Sequence, residues 1–170
     1  MRRVCAWCGK KLGEPSSGCA ENGPVTHGIC DGCASNLAAQ SGVPLQEFLD
    51  GLGTPVLLVD SEGTIVTANT AVRAMLGKAL DLIEGFKGGD VFECAFARLP
   101  EGCGNTVHCS GCMIRRTVMD THHTGENHLL APAYLNQQTS AGIRVLDLSI
   151  TTEKAGDIVF LRIDGMAMRE

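Results

Sequence analysis

Nine cysteines in 170 residues, arranged as two sets of four with one left over, constrain this chain more than any other feature. The first set is Cys5-Ala-Trp-Cys8 and Cys30-Asp-Gly-Cys33, two C-x2-C pairs separated by 21 residues. Each such turn aims two thiolates at one centre, and two turns complete a tetrahedral shell around zinc. Gly9 and Gly32 supply the backbone freedom that tight turns need. Between the pairs, LGEPSSGCAENGP holds too little apolar material for a core, so metal binding is expected to provide the folding energy. Four sulfurs leave no open coordination position, which makes this a structural site. His27, three residues before Cys30, is the alternative ligand, and Trp7 and Cys19 are expected to pack against the knuckles. A thioredoxin-like redox role would need a β-α-β pattern around the pairs, which is absent.

The second set is Cys94, Cys103, Cys109 and Cys112, spaced C-x8-C-x5-C-x2-C in the stretch 94–112. Strand-like and helical segments lie on both sides of it, so it reads as an insert within a domain. Gly102 and Gly104 flank Cys103 with flexible backbone, and Cys112 opens a helix. Free N–H groups at a helix start are expected to lower the Cys112 thiol.

Composition narrows the classes. The basic start, MRRVCAWCGKKLGE, is followed by no apolar run, which rules against a signal peptide, and no stretch approaches the roughly 20 apolar residues of a membrane helix. A cytoplasmic location is the default, and in a reducing compartment clustered cysteines are metal ligands or redox groups. A net charge of −5 without a basic stripe and an aromatic content of 4% argue against a nucleic-acid partner.

Residues 1–42 form the cysteine module, ending in a short helix over ASNLAAQ, and residues 43–170 form the second domain. In the latter, Leu45, Phe48, Leu49 and Leu52 fall on one face of a helix begun at Pro44. Strands at 55–59 and 64–68 flank the turn Asp60-Ser-Glu-Gly63. Asn69 caps the next helix, whose apolar face is Val72, Met75 and Leu76 and whose stop is Gly77. KALDLIEGF is a further helical piece. After the insert, Met113, Ile114 and Val118 have helical spacing up to Gly125, and strands follow at about 128–137, 143–151 and 157–164. Leu146, Leu148 and Ile150 alternate with Asp147 and Ser149, as in a sheet with one covered face.

The phrase His27-Gly-Ile-Cys30-Asp-Gly-Cys33 resembles the short cysteine module ahead of sensor and regulator domains in bacterial signalling proteins. The order strand, strand, short helices, longer helix, three strands is similar to that of the PAS sensor domain. VDSEGTIVTANTAV carries the local likeness, with Asp60, Gly63, Ile65 and Asn69 at the family's usual places. The resemblance spans about residues 44–166. It implies an α+β fold, a five-stranded antiparallel sheet ordered 2-1-5-4-3 with flanking short helices. That order puts Pro132 in an edge strand, where proline is tolerated.

In this family the region replaced here by the insert lines the ligand pocket. GCG followed by C-x2-C also resembles a subset of bacterial PAS sensors. The expected cofactors are zinc at the first site and zinc or an iron–sulfur cluster at the second, with free thiols as a redox switch the remaining option. His108 could substitute as a ligand. His122, His123 and His128 suit a helix C-terminus, with an axial haem ligand the sharper alternative.

H-E-x-x-H, G-x-S-x-G, a phosphate loop and the deaminase zinc signature are all missing. The expectation is therefore a non-enzymatic, metal-binding sensory module that signals by contact with a kinase, a regulator or a second copy. A zinc-stabilised protein-interaction adaptor is the alternative.

Overall fold

The structure, a computed structural model, describes residues 2–6, 8–12, 25–33 and 44–169. They belong to two compact units, Met1–Leu45 and Gln46–Glu170. In the first, β1 (Arg2–Cys5) and β2 (Val25–Gly28) pair in parallel. Neither RRVC nor VTHG alternates in polarity, so the sequence reading does not anticipate this pair. The helix expected over ASNLAAQ and the packing roles of Trp7 and Cys19 lie outside the described residues.

The second unit is built on a five-stranded antiparallel sheet. Its strands are β3 (Val56–Val59), β4 (Ile65–Ala68), β5 (His128–Thr139), β6 (Gly142–Ala155) and β7 (Ile158–Met168). Their spatial order is β4-β3-β7-β6-β5, which is 2-1-5-4-3 counted within the unit. Pro132 lies in the edge strand β5, opposite Ser149. The last three strands run longer than the sequence suggests. Their added ends, such as Gln138, Thr139, Met166 and Met168, are poorly covered and extend the ladder without alternating burial.

Burial sorts the strand residues by face. Leu57 and Val59 join Ile65, Val72, Ile83, Val91, Val118, Ile150 and Leu161 in the main core. Val56 and Leu58 point the other way and pack with Leu49, Ile158 and Phe160. β3 is thus buried on both faces, which explains its unbroken apolar run, VLLV. Of the four apolar residues expected on the first helix, α1 (Leu45–Asp50) and its exit, only Leu49 is buried; Leu45, Phe48 and Leu52 are exposed. A helix this short presents a single residue to the sheet.

Asn69 connects the two faces. Its Oδ1 accepts from Val72 N at 3.2 Å, capping α2 (Thr70–Leu76), and from Val56 N at 3.1 Å. Its Nδ2 donates to Leu49 O at 3.0 Å and Thr54 O at 2.7 Å. α2 stops at Gly77, whose φ of 63° is left-handed. KALDLIEGF gives only a 3-10 turn, Leu80–Leu82, followed by α3 (Gly88–Val91). The longer helix, α4 (Met113–Thr124), ends at left-handed Gly125. Among the described residues no helix is long and apolar enough to cross a membrane.

Candidate functional site

In the first unit the parallel strand pair brings the two C-x2-C turns together. Cys5 ends β1, and Ala6 N donates to Gly28 O at 2.8 Å, which fixes that turn beside the end of β2. Gly9 closes its own turn with N–H to Cys5 O at 2.9 Å and a φ of 69°. Cys30 N donates to Cys5 Sγ and Cys33 N to Cys30 Sγ, each at 3.4 Å. Cys8 Sγ is 3.6 Å from Cys30 Sγ, and all four sulfurs lie within 4.8 Å of one another. A zinc ion with bonds near 2.3 Å holds its sulfurs about 3.8 Å apart, so the donor set fits one tetrahedral ion. The crowding has an electrostatic signature. The Cys33 thiol is pushed up to about 12 by its hydrogen bonds with Cys30 and then Cys8, with burial and Cys5 adding to it. Only the deprotonated sulfur ligates, so metal binding here would displace that proton. The backbone of His27 belongs to β2, and its side chain lies outside the described residues.

In the second unit the insert folds as short turns over the sheet. The chain enters through Glu93, whose φ of 58° is left-handed and whose carboxylate meets Lys78 at 2.5 Å and Arg98 at 3.0 Å. Cys94 precedes a 3-10 turn, Ala95–Arg98, and bridges to Gln137 on β5. A second 3-10 turn, Val107–Gly111, carries Cys109, and Cys112 caps α4. Cys94, Cys103, Cys109 and Cys112 all line one cavity of about 260 Å³. Its remaining wall is largely apolar and includes Leu57, Ile65, Phe92, Val118 and Leu161. His108 also lines it while stacking on Phe96 at 3.9 Å between ring centroids.

The sulfurs are held by donors. Gly89 N–H donates to Cys103 Sγ at 3.2 Å and Gly104 N–H to Cys109 Sγ at 3.1 Å, and Thr106 Oγ1 is 3.2 Å from Cys109 Sγ. Burial leads the upward shift of Cys103, outweighing the Gly89 N–H. For Cys109 burial is opposed by the Thr106 hydroxyl, the N–H groups of Gly104 and Thr106, and Arg115, and the thiol is lowered. Cys112 corrects an expectation. Its place at a helix start should lower the thiol, yet burial is the largest influence and pushes it up against the N–H groups of Arg115 and Ile114.

The histidines near the end of α4 are engaged elsewhere. His122 Nε2 is 3.2 Å from Asp157 O, His123 Nδ1 is 2.7 Å from Met119 O, and His128 Nε2 is 2.6 Å from Asp120. None of the three lines the cysteine cavity; His123 and His128 line a separate pocket with Met119 and Asp120. Two further residues do belong to the site without having been singled out in the sequence, Gly89 and Arg115. Gly89 is 14 residues from its sulfur, and Arg115 shares a helix with Arg116, which is exposed.

An antiparallel sheet in this order, with short helices and an inward cavity, is a PAS-like fold. Residues 45–108 match the model of the PAS domain family. A domain of the sensory box sensor histidine kinase/response regulator from Geobacter sulfurreducens superposes with a TM-score of 0.50 at 18% identity, covering 77% of this chain and 99% of that one. The photoactive yellow protein domain of the sensor histidine kinase Ppr from Rhodospirillum centenum is similar with a TM-score of 0.44 at 18% identity, over 75% and 98% of the two chains. The PAS domain of the Cronobacter turicensis RpfR quorum-sensing receptor, in complex with BDSF, gives 0.45 at 14% identity, over 65% and 91%. No curated protein matches the chain.

Proposed function

We propose that the chain is a non-enzymatic, metal-binding sensory module. Residues 1–42 act as a zinc-stabilised knuckle held by Cys5, Cys8, Cys30 and Cys33, and residues 43–170 act as a PAS-type sensor. The sensing group is held by Cys94, Cys103, Cys109 and Cys112. One observation carries this reading: all four insert cysteines line a single cavity beneath the sheet of a PAS-like fold. A signal reaching that cavity, whether redox state, oxygen or a small ligand, acts on a wall shared with the sheet core. Output passes by contact to a kinase or regulator, or to a second copy of the chain, in the cytoplasm and with no nucleic acid or membrane involved.

Metal analysis of anaerobically purified protein tests this. Metal beyond one zinc per chain is expected, and Cys103→Ser with Cys109→Ser should lose that excess while Cys5→Ser with Cys8→Ser should keep it. If the insert variant retains all the metal, the insert is not the metal site. The convergence of the first four sulfurs favours a second reading, an adaptor whose metal is purely structural. It predicts metal at the first site alone.

A further inference from the structure

Resting on the reading that the insert binds metal, we infer that its occupant is an iron–sulfur cluster and not a single ion. The chain carries its own reference for a single-ion site. The first four sulfurs lie within 4.8 Å of one another, as a tetrahedral ion of about 3.8 Å sulfur spacing requires. Among the described residues no other set of three or more ligand atoms is that close, and every insert cysteine is described. Yet the sulfur-bearing residues Cys94, Cys103, Cys109 and Cys112 all line a common space. With no three of their sulfurs within 4.8 Å of one another, four cysteines around one cavity suit a core of several metal atoms, each taking one sulfur.

The size of the cavity agrees. About 260 Å³ exceeds the roughly 150 Å³ of an apolar cavity that accepts benzene, so there is room for a group of several heavy atoms. A lone ion would leave most of that space open.

Charge and donors agree as well. A cluster held by four thiolates is an anion overall, and Arg115 lines the cavity. The Arg115 guanidinium is wedged between Gly63 and Gly104, where added β-carbons would stand 3.1 and 2.8 Å from Nη1. Among the described residues it has no carboxylate partner, so its charge is available to the occupant. The N–H groups of Gly89 and Gly104 already point at sulfur, the type of contact that sets the properties of iron–sulfur centres.

The full chain, purified without oxygen and reconstituted with ferrous iron and sodium sulfide, decides the matter. Iron and acid-labile sulfide in equal amounts, with a broad visible absorbance, are expected in addition to the zinc of the first site. Cys5→Ser with Cys8→Ser should keep that iron, and Cys103→Ser with Cys109→Ser should lose it. Arg115→Gln, outside the sulfur ligands, should release iron to a chelator about tenfold faster with the zinc unchanged; unchanged release would refute the counter-charge role. A second equivalent of zinc without sulfide would overturn the cluster while leaving the metal-sensor reading intact. No metal at the insert, in protein whose first site is loaded and whose circular dichroism is native, would overturn both.

Discussion

Gly89 donates its backbone N–H to the Cys103 sulfur at 3.2 Å, and a β-carbon on Gly89 would come to 2.7 Å from that same sulfur. The hydrogen bond and the close approach are one arrangement, because the donor reaches the sulfur only where no side chain intervenes. Gly89→Ala is therefore expected to displace Cys103 and to press on Ala97, whose β-carbon would be 3.1 Å away. Overpacking of this kind costs about 1–3 kcal/mol. The variant should melt earlier by calorimetry and retain less insert metal, and an unchanged metal content would refute the role given to this glycine.

Removal of the first metal should have a confined effect. With Cys5, Cys8, Cys30 and Cys33 converging on one centre in a unit of its own, a zinc chelator is expected to open residues 2–6, 8–12 and 25–33 to hydrogen exchange. Exchange in β3, β6 and β7 should not change. Parallel loss of protection in the sheet would show that the two units fold as one.

Asn69→Ala should be among the most damaging single changes in the sheet domain. Asn69 is fully buried, and its loss leaves Val56 N, Thr54 O and Val72 N without this partner and Leu49 O with the Leu52 N–H alone. Unsatisfied buried groups cost about 1–3 kcal/mol, so a loss at or above the top of that range is expected in urea unfolding. Asn69→Asp keeps the two acceptor bonds but sets a buried carboxylate oxygen against the Leu49 and Thr54 carbonyls, and should be no milder than the alanine variant. A loss below 1 kcal/mol for the alanine variant would contradict the bracing role.

Acid should loosen the entry to the insert. Lys78 first, and Arg98 with it, hold the Glu93 carboxyl below its ordinary range against a smaller effect of burial. A depressed carboxylate contributes stability above its unfolded pKa, about 4.3, and that contribution is lost as pH falls through the folded value. The melting temperature is therefore expected to drop more steeply below pH 4.3 in the native chain than in Glu93→Gln. The side chain is 38% exposed, so the difference should also shrink in high salt. Identical pH profiles would sink the assignment.

What could be read from the sequence followed from local chemistry. Asn69, Gly77 and Gly125 announce helix ends because capping is a matter of a few adjacent residues, and the structure has all three in those roles. The strands themselves were accessible through turns and alternation, while their spatial order came only from the resemblance to the PAS domain. The first cysteine set was legible because its spacing alone brings pairs together. The insert was legible only as a list of donors. Whether Cys112 is raised or lowered depends on how deeply it is buried, which spacing does not encode. Gly89 approaches a sulfur 14 residues away, and Arg115 looks like any cation on a helix until the fold places Gly63 and Gly104 around it. The β1–β2 pair was invisible because four residues are too few to show a pattern.

The outer rim of the sheet has a consequence for solubility. β5 is a twelve-residue strand at the edge, and a long bare edge is a template on which other chains polymerise. This one is interrupted along its length. Its register slips between His128 and Ala131, where Leu130 takes a φ of 51°, and Pro132 follows without an N–H to offer. At the far end the Gln138 N–H is already taken by Glu93 O at 2.7 Å, and Gln137 by the bridge to Cys94. The same residue that opens the cysteine insert thus covers one end of that edge, so shortening the insert at Glu93 and Cys94 would uncover an adhesive edge as well as remove one of the four insert cysteines.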